Sequence, residues 1–206
     1  MREVNLLQDE KGRIRREVLA RRDALAPEYR EAASASICAR LAACADVTTA
    51  RTVLAFATFG SEVGLDPVLQ QVIDRGAGLF LPFVERFTPP DLGIARVKDL
   101  QRDLVVSRMG IREPDPARRR PARVDRIDVV LAPCVAVDTL GRRLGYGAGF
   151  YDRLLARLRP GTAVIAVAFE TQVVAALPES THDMRVDRIV TEHRVFETPG
   201  GRVSGV

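Results

Sequence analysis

The chain opens on a helical pattern of hydrophobic positions. In "EKGRIRREVLARRDAL" (residues 10–25), Ile14, Val18, Leu19 and Leu25 fall on one side of a helical wheel, and mostly Arg, Asp and Glu fill the rest. Pro27, suited to a first helical turn, starts a second helix whose stripe is Tyr29, Ala33, Ile37 and Leu41. The period then changes. "TVLAFATF" (52–59) is a continuous apolar run closed by "GSE", the pattern of a strand buried on both faces. "LDPVLQQVIDRGAG" (65–78) predicts a helix with Pro67 near its start and Gly76 as its stop, followed by the buried strand "LFLPFV" (79–84). Residues 86–127 are mixed, with a strand or two expected around "IARVKDL" and an irregular excursion. "DVVLAP" (128–133) is a strand, and "VDTLGRR" (137–143) is a turn built on Asp138 and Gly141. A glycine-rich stretch then leads into a helix expected to run through Leu158. "TAVIAVAF" (162–169) is a further buried strand, "TQVVAAL" (171–177) a short helix, "VDRIVTE" (186–192) the last strand, and "ETPGGRVSGV" (197–206) a loose tail.

Strands alternating with helices predict an α/β fold. The expectation is an open, mainly parallel, Rossmann-like sheet with helices on both faces, in three α/β/α layers. Residues 1–206 read as one domain, with a core over about 10–195.

Composition narrows the class. Hydrophobic residues make up 47%, enough for a sizeable core, and no run approaches the apolar length of a membrane span. The first residues, "MREVNLLQDEKGRIRREV", are charged throughout and lack the apolar stretch of a secretion signal. Cys38, Cys44 and Cys134 are odd in number and show no metal spacing, which fits reduced thiols in a cytoplasmic protein. The formal charge of +4 suits a polyanionic small ligand. The basic run "ARRRPAR" (117–123) has a proline and no interleaved aromatics, so it reads as a solvated loop and no nucleic-acid partner is expected.

The chemistry concentrates in "RRLGYGAGFYDRLLARL" (142–158), where Gly145, Gly147 and Gly149 alternate directly before a helix. Glycines admit positive φ and close approach of a ligand to the main chain. Successive exposed N–H groups form an anion nest, to which a following helix N-terminus adds a favourable dipole. Arg143 and Arg153 could add full charge. The stretch has neither the GxxxxGK[ST] of a Walker A loop nor GxGxxG spacing. By spacing alone it is either a phosphate cradle or a tight strand-to-helix bend. Asp152 fits helix capping or a hard cation beside phosphates, and "HDMRVD" (182–187) offers further acids. His182 and His193 make no zinc pattern and read as surface or capping residues. Lys11 and Arg15 share a helix face at i and i+4, either as a solvated face or as a cover for the phosphate site. Glu62 follows the first strand, at the sheet end where open α/β folds bind ligands.

These residues carry a family resemblance. The chain resembles 5-formyltetrahydrofolate cyclo-ligases, also called 5,10-methenyltetrahydrofolate synthetases. "RLGYGAGFYDR" (143–153) is similar to the family's RLGxGxGYYDR-like signature. "KGRIR", "SEVG", "RGAGLFLP", "MGIREP", "DVVLAP" and "HDMRVDRIVTE" follow in family order over about residues 10–195. The resemblance implies ATP- and Mg2+-dependent conversion of 5-formyltetrahydrofolate to 5,10-methenyltetrahydrofolate. The alternative is a folate- or nucleotide-binding regulatory relative without turnover. By matching position, it implies nucleotide contacts from Lys11, Arg15, Arg143, Leu144, Gly145, Tyr146, Gly147, Ala148, Gly149 and Arg153. It also implies folate contacts from Ala57, Glu62, Phe150 and Tyr151, and magnesium-linked acids at Asp152 and Asp183. No nucleophile is implied. The partners are ATP and 5-formyltetrahydrofolate, in a cytoplasmic monomer or small homo-oligomer. The chain departs from relatives in two ways. Some carry a basic residue where Tyr146 or Ala148 stands, so cation density must come from Lys11, Arg15, Arg143 or Arg153; and Phe150 replaces the first tyrosine of an aromatic pair.

Overall fold

The computed structural model describes residues 2–199. Five helices, α1 (Arg2–Asp23), α2 (Pro27–Ala43), α3 (Ala45–Thr49), α4 (Asp66–Asp74) and α5 (Phe150–Leu155), accompany thirteen strands among the described residues. The strands are β1 (Thr52–Leu54), β2 (Gly78–Phe87), β3 (Pro90–Val97), β4 (Leu104–Val106), β5 (Arg112–Pro114), β6 (Pro121–Ala122), β7 (Val129–Pro133), β8 (Ala136–Asp138), β9 (Arg143–Leu144), β10 (Ala163–Val167), β11 (Val173–Val174), β12 (Arg188–Val190) and β13 (Val195–Glu197). The main sheet has the order β13-β12-β10-β7-β1-β2-β3-β6. Strands β12, β10, β7, β1 and β2 are parallel, and β13, β3 and β6 add antiparallel edges.

The continuous apolar runs are explained by burial on both faces. Val53, Leu79, Leu81, Val129, Leu131, Ile165 and Val167 face a core completed by Ile37 and Leu41 of α2 and by Leu69 of α4. The alternate residues Leu54, Val130, Ala132, Val164, Ala166 and Ile189 face the opposite core, where Leu154 and Leu155 of α5 insert. A two-residue period in the strands thus feeds two helix layers. Helix α1 packs Ile14 and Val18 against Val135, Ala136, Leu144 and Leu177, a third cluster beside the small sheet β11-β8-β9. The Asp138–Gly141 turn joins β8 to β9 as expected. Asp138 Oδ1 accepts the N–H groups of Leu140 and Arg142, and Gly141 has φ +79°.

Several expectations are corrected. Helix α1 begins well before residue 10 and ends before Leu25, which packs against the core from the following loop. Tyr29, assigned to the apolar stripe of α2, is exposed and donates its hydroxyl to Glu192 Oε1 at 2.8 Å. Strand β1 stops at Leu54, although Ala55, Phe56 and Ala57 stay buried, because the chain leaves the ladder to make the Phe59–Glu62 turn. Helix α5 stops at Leu155. The next N–H groups, of Arg157 and Leu158, tighten to i−3 bonds ahead of Pro160, which disfavours helix at the residue before it. "TQVVAAL" is not a helix. Gln172 is 2% exposed, gives its amide to the carbonyls of Cys134 and Val135, and accepts the Phe169 N–H, while Val173 and Val174 pair with β8. Those buried side-chain bonds and two β-branched residues outweigh a marginal helical period. Strand β12 is not the last: β13 pairs with it through Arg188–Glu197, and Thr198 Oγ1 bonds the Val186 carbonyl. The remainder of the expected loose tail, residues 200–206, lies outside the described residues.

Candidate active site

Strand β2 lies on one side of β1 and β7 on the other, so successive connections diverge at the carboxyl ends of β1 and β7. Open α/β sheets form their ligand crevice at such a switch point. Here a cleft of about 890 Å³ opens there, large enough for two sizeable ligands in contact. Every residue proposed from the sequence lines it. Helix α1 supplies Lys11 and Arg15; the chain after β1 supplies Ala57 and Glu62; β9 supplies Arg143 and Leu144. The following loop contributes Gly145 to Gly149, α5 contributes Phe150 to Arg153, and Asp183 closes the rim.

The glycine loop is an open backbone surface. Gly147 has φ +109° and Gly149 has φ +74°, both in the region that glycine adopts without strain. A Cβ at position 147 would lie 3.3 Å from the Arg15 guanidinium, which crosses the loop and donates through Nε to the Gly145 carbonyl at 2.8 Å. Among the described residues, none of the N–H groups from Gly145 to Gly149 has a hydrogen-bond acceptor. Unspent, clustered N–H donors beneath an arginine make an anion site. Helix α5 has six residues, so its dipole adds less than the sequence pattern suggested, and the loop and the α1 cations carry the site.

The cations and acids are interlocked. Lys11, 6% exposed, donates to Ser180 Oγ at 2.8 Å and pairs with Asp183, whose Oδ2 also accepts the Ser180 N–H. The Arg143 side chain is 2% exposed and pairs with Asp152 Oδ1 at 2.8 Å; the Met184 N–H reaches the same oxygen at 3.3 Å. The bonds to each acid fall on one oxygen, Oδ1 of Asp152 and Oδ2 of Asp183. Among the described residues no three His, Cys, Asp or Glu side chains gather to hold a metal. This donor set fits Mg2+, which is commonly held by one or two carboxylates together with phosphate oxygens and water.

Glu62 forms the other end of the cleft. The Phe59 N–H donates to its Oε2 and the Tyr146 hydroxyl to its Oε1, each at 3.1 Å. Burial pushes its carboxyl above the ordinary glutamate range, opposed by the Phe59 N–H, Arg22 and Tyr146. Phe150 packs edge-on against Phe87 at 6.3 Å between centroids, and Tyr151 lies under the Arg143 guanidinium at 5.7 Å with its buried hydroxyl unpartnered among the described residues. Cys134 also lines the cleft. Burial pushes its thiol up to about 12, so it is a neutral wall near neutral pH and no nucleophile.

Sequence reasoning missed Arg22, Ser180 and Cys134, along with the aliphatic and aromatic wall of Pro82, Phe83 and Val84. Arg22 is one arginine among many on a charged helix and carries no local signal. Met109, Ile111, Arg112 and Glu113 also line the cleft, and the "MGIREP" match was the only pointer to them.

Fold and cleft define an α/β protein with a large cleft at the carboxyl ends of its parallel strands, lined by a glycine-rich loop. The family model for 5-formyltetrahydrofolate cyclo-ligases matches residues 7–192, and the chain belongs to that family. It is a cyclo-ligase of folate one-carbon metabolism. The chain is 33% identical to the 5-formyltetrahydrofolate cyclo-ligase of Escherichia coli K12 over 178 residues, 86% of this chain and 97% of that one. A mitochondrial 5-formyltetrahydrofolate cyclo-ligase of Arabidopsis thaliana is 26% identical, over 64% of this chain and 54% of its own. The solved structure of Aquifex aeolicus 5,10-methenyltetrahydrofolate synthetase superposes with a TM-score of 0.80 at 31% identity, covering 95% of this chain and 96% of that chain. No helix among the described residues is long and apolar enough to cross a membrane.

Proposed function

We propose that the chain converts 5-formyltetrahydrofolate and ATP to 5,10-methenyltetrahydrofolate, ADP and phosphate, with Mg2+, as one cyclo-ligase domain in the cytoplasm. The observation that carries this reading is the run of unspent N–H groups from Gly145 to Gly149 beneath Arg15, in the same cleft as the half-buried carboxylate Glu62. One end suits phosphates. The other suits a reduced pterin, which displays several N–H donors to a carboxylate acceptor. The names of the similar proteins match the two ends of this reaction, one giving the formyl substrate and the other the methenyl product.

The chemistry requires activation, because the formyl oxygen of an amide is a poor leaving group. The γ-phosphorus–oxygen bond to ADP breaks as a new bond forms from phosphorus to the formyl oxygen, giving a phosphorylated imidate. N10 then attacks the formyl carbon. The carbon–oxygen bond breaks, phosphate leaves with the electron pair, and N10 loses its proton. Ring closure is intramolecular, so holding the folate in one conformation supplies much of the rate. Lys11, Arg15 and the loop N–H groups bind the phosphates and offset charge as it moves to the departing ADP oxygen. Asp152 and Asp183 would hold Mg2+, which neutralises charge on the phosphates. Ala57, Glu62, Phe150 and Tyr151 orient the folate so that its formyl oxygen meets the γ-phosphoryl group.

The test is absorbance of the methenyl product on mixing purified protein with 5-formyltetrahydrofolate. Product is expected only with both ATP and Mg2+. Tight folate or ATP binding by calorimetry without any product would overturn the reading and leave a binding relative.

A further inference from the structure

Glu62 is held by more than its own loop. Arg22, on the last turn of α1, is 3% exposed although its neighbours in sequence are solvated. Its Nε donates to Ser61 Oγ at 2.9 Å, and one terminal nitrogen donates to the Tyr146 hydroxyl at 2.9 Å. The guanidinium also sits 5.9 Å from the centre of the Tyr146 ring. Ser61 in turn donates to Asp23, the residue after Arg22. The Tyr146 hydroxyl then donates to Glu62 Oε1. The order of donors is fixed by chemistry. A guanidinium cannot accept, so the phenol oxygen must receive from Arg22, and its single proton is left to point at Glu62. The second terminal nitrogen of Arg22 is buried with no partner among the described residues, and Arg22 lines a small crevice together with Glu62, Cys134 and Gln172.

We propose that Arg22 is a positioning residue for the folate end of the cleft, acting through Tyr146 to fix the orientation and charge of Glu62. The proposal rests on the cyclo-ligase reading above. It gives position 146 a task distinct from phosphate binding: the tyrosine carries the influence of a buried cation to the carboxylate instead of supplying a cation itself. It also explains why a charged arginine is buried at the end of α1, since removing Arg22 would leave Ser61 and Tyr146 without their donor. Charge-assisted bonds of this kind are stronger than neutral ones and orient both partners.

The groups that face Glu62 are Arg22 from α1, Tyr146 from the glycine loop and the Phe59 N–H from its own turn; its charge also reaches Cys134 at the end of β7 and Tyr151 of α5. Burial pushes the Glu62 carboxyl up, and the Phe59 N–H, Arg22 and Tyr146 oppose it, so the arginine–tyrosine chain is the side-chain element that favours the ionised form. Losing a donor to a carboxylate raises its pKa, and activity that needs the ionised form is then lost at higher pH as the pH falls.

Two variants and their combination test this. Tyr146→Phe removes one hydroxyl from a half-exposed ring and is expected to fold. It should raise KM for the folate about tenfold, the scale of one hydrogen bond to a charged group, while KM for ATP stays within about twofold. The acid limb of kcat/KM for the folate should move to higher pH. Arg22→Lys keeps the charge without the fork that serves Ser61 and Tyr146 together. It should shift the same two quantities in the same direction, and add little in the Tyr146→Phe background, because partners in one chain are not additive. An unchanged folate KM and acid limb in Tyr146→Phe would overturn the proposal, as would full additivity of the two changes. A wild type without turnover would instead refute the cyclo-ligase reading, so the two failures are distinguishable.

Discussion

The two ends of the central sheet both carry cation–aspartate pairs, yet those pairs stand in different surroundings. At the amino-terminal end, Asp128 accepts the N–H groups of Arg51 and Thr52 at 2.9 and 3.0 Å and pairs with Arg159. Thr52 Oγ1 bonds the Arg126 carbonyl, and Arg75 bonds the carbonyls of Val47 and Thr48. There the side chains are spent on the backbone and lock strand to loop. At the carboxyl end, Lys11 and Arg143 pair chiefly with acids, over a loop whose N–H groups are left open. Charge pairs mark both places. What marks the site is backbone donor capacity left unspent beside buried cations.

The sharpest way to break this contrast is to change one acid at each end. Asp152→Asn keeps an acceptor for Arg143 and the Met184 N–H but removes the charge. It is expected to lower kcat about 100-fold, the scale of one preorganised electrostatic contact, with Tm falling only a few degrees. Steady-state assays beside thermal melts check it; unchanged kcat would return Asp152 to a purely structural role. Gly147→Ala comes next. A side chain at φ +109° is strained by roughly 1–3 kcal/mol, and its Cβ would push on the Arg15 guanidinium. Turnover is expected to fall about tenfold, mainly through KM for ATP, since one bond of a charged donor is worth about that factor.

Asp128→Asn should show the smallest effect on activity. Turnover per folded molecule stays within about twofold, because the residue serves the fold, while stability drops by about 1 kcal/mol, a value discounted for solvent exposure. Burial raises the Asp128 carboxyl, but the bonds from Thr52 and Arg51 and the charge of Arg159 outweigh it and hold the pKa below the ordinary aspartate range. Its stabilisation is therefore present above the unfolded-state pKa and lost as pH falls through the depressed native value. Acid melts of wild type and variant should converge over that acidic window; a constant gap down to the lowest pH would show that the carboxylate charge is not the source.

How much of this was legible in the sequence follows from range. The buried strands were readable because burial on both faces leaves a continuous apolar run, as in β7 and β10. Lys11, Glu62 and Asp152 were readable through motif order, and the cleft gathers them with the glycine loop. The segment at Gln172 was misread because its decisive bonds go to Cys134 and Val135, which no local window contains. Arg22 was invisible for the same reason: its partners Ser61 and Tyr146 lie 39 and 124 positions away. Position 146 looked like a missing cation in the sequence, and in the fold it is the contact through which a distant one acts.

The central claim is that one cleft holds the γ-phosphoryl group of ATP against the formyl oxygen of the folate. The most direct measurement follows that oxygen. With 5-formyltetrahydrofolate labelled with 18O in the formyl group, turnover in the presence of ATP and Mg2+ is expected to place the label in the released inorganic phosphate, one labelled oxygen per methenyl product. Label appearing in water, with unlabelled phosphate formed alongside product, would contradict it.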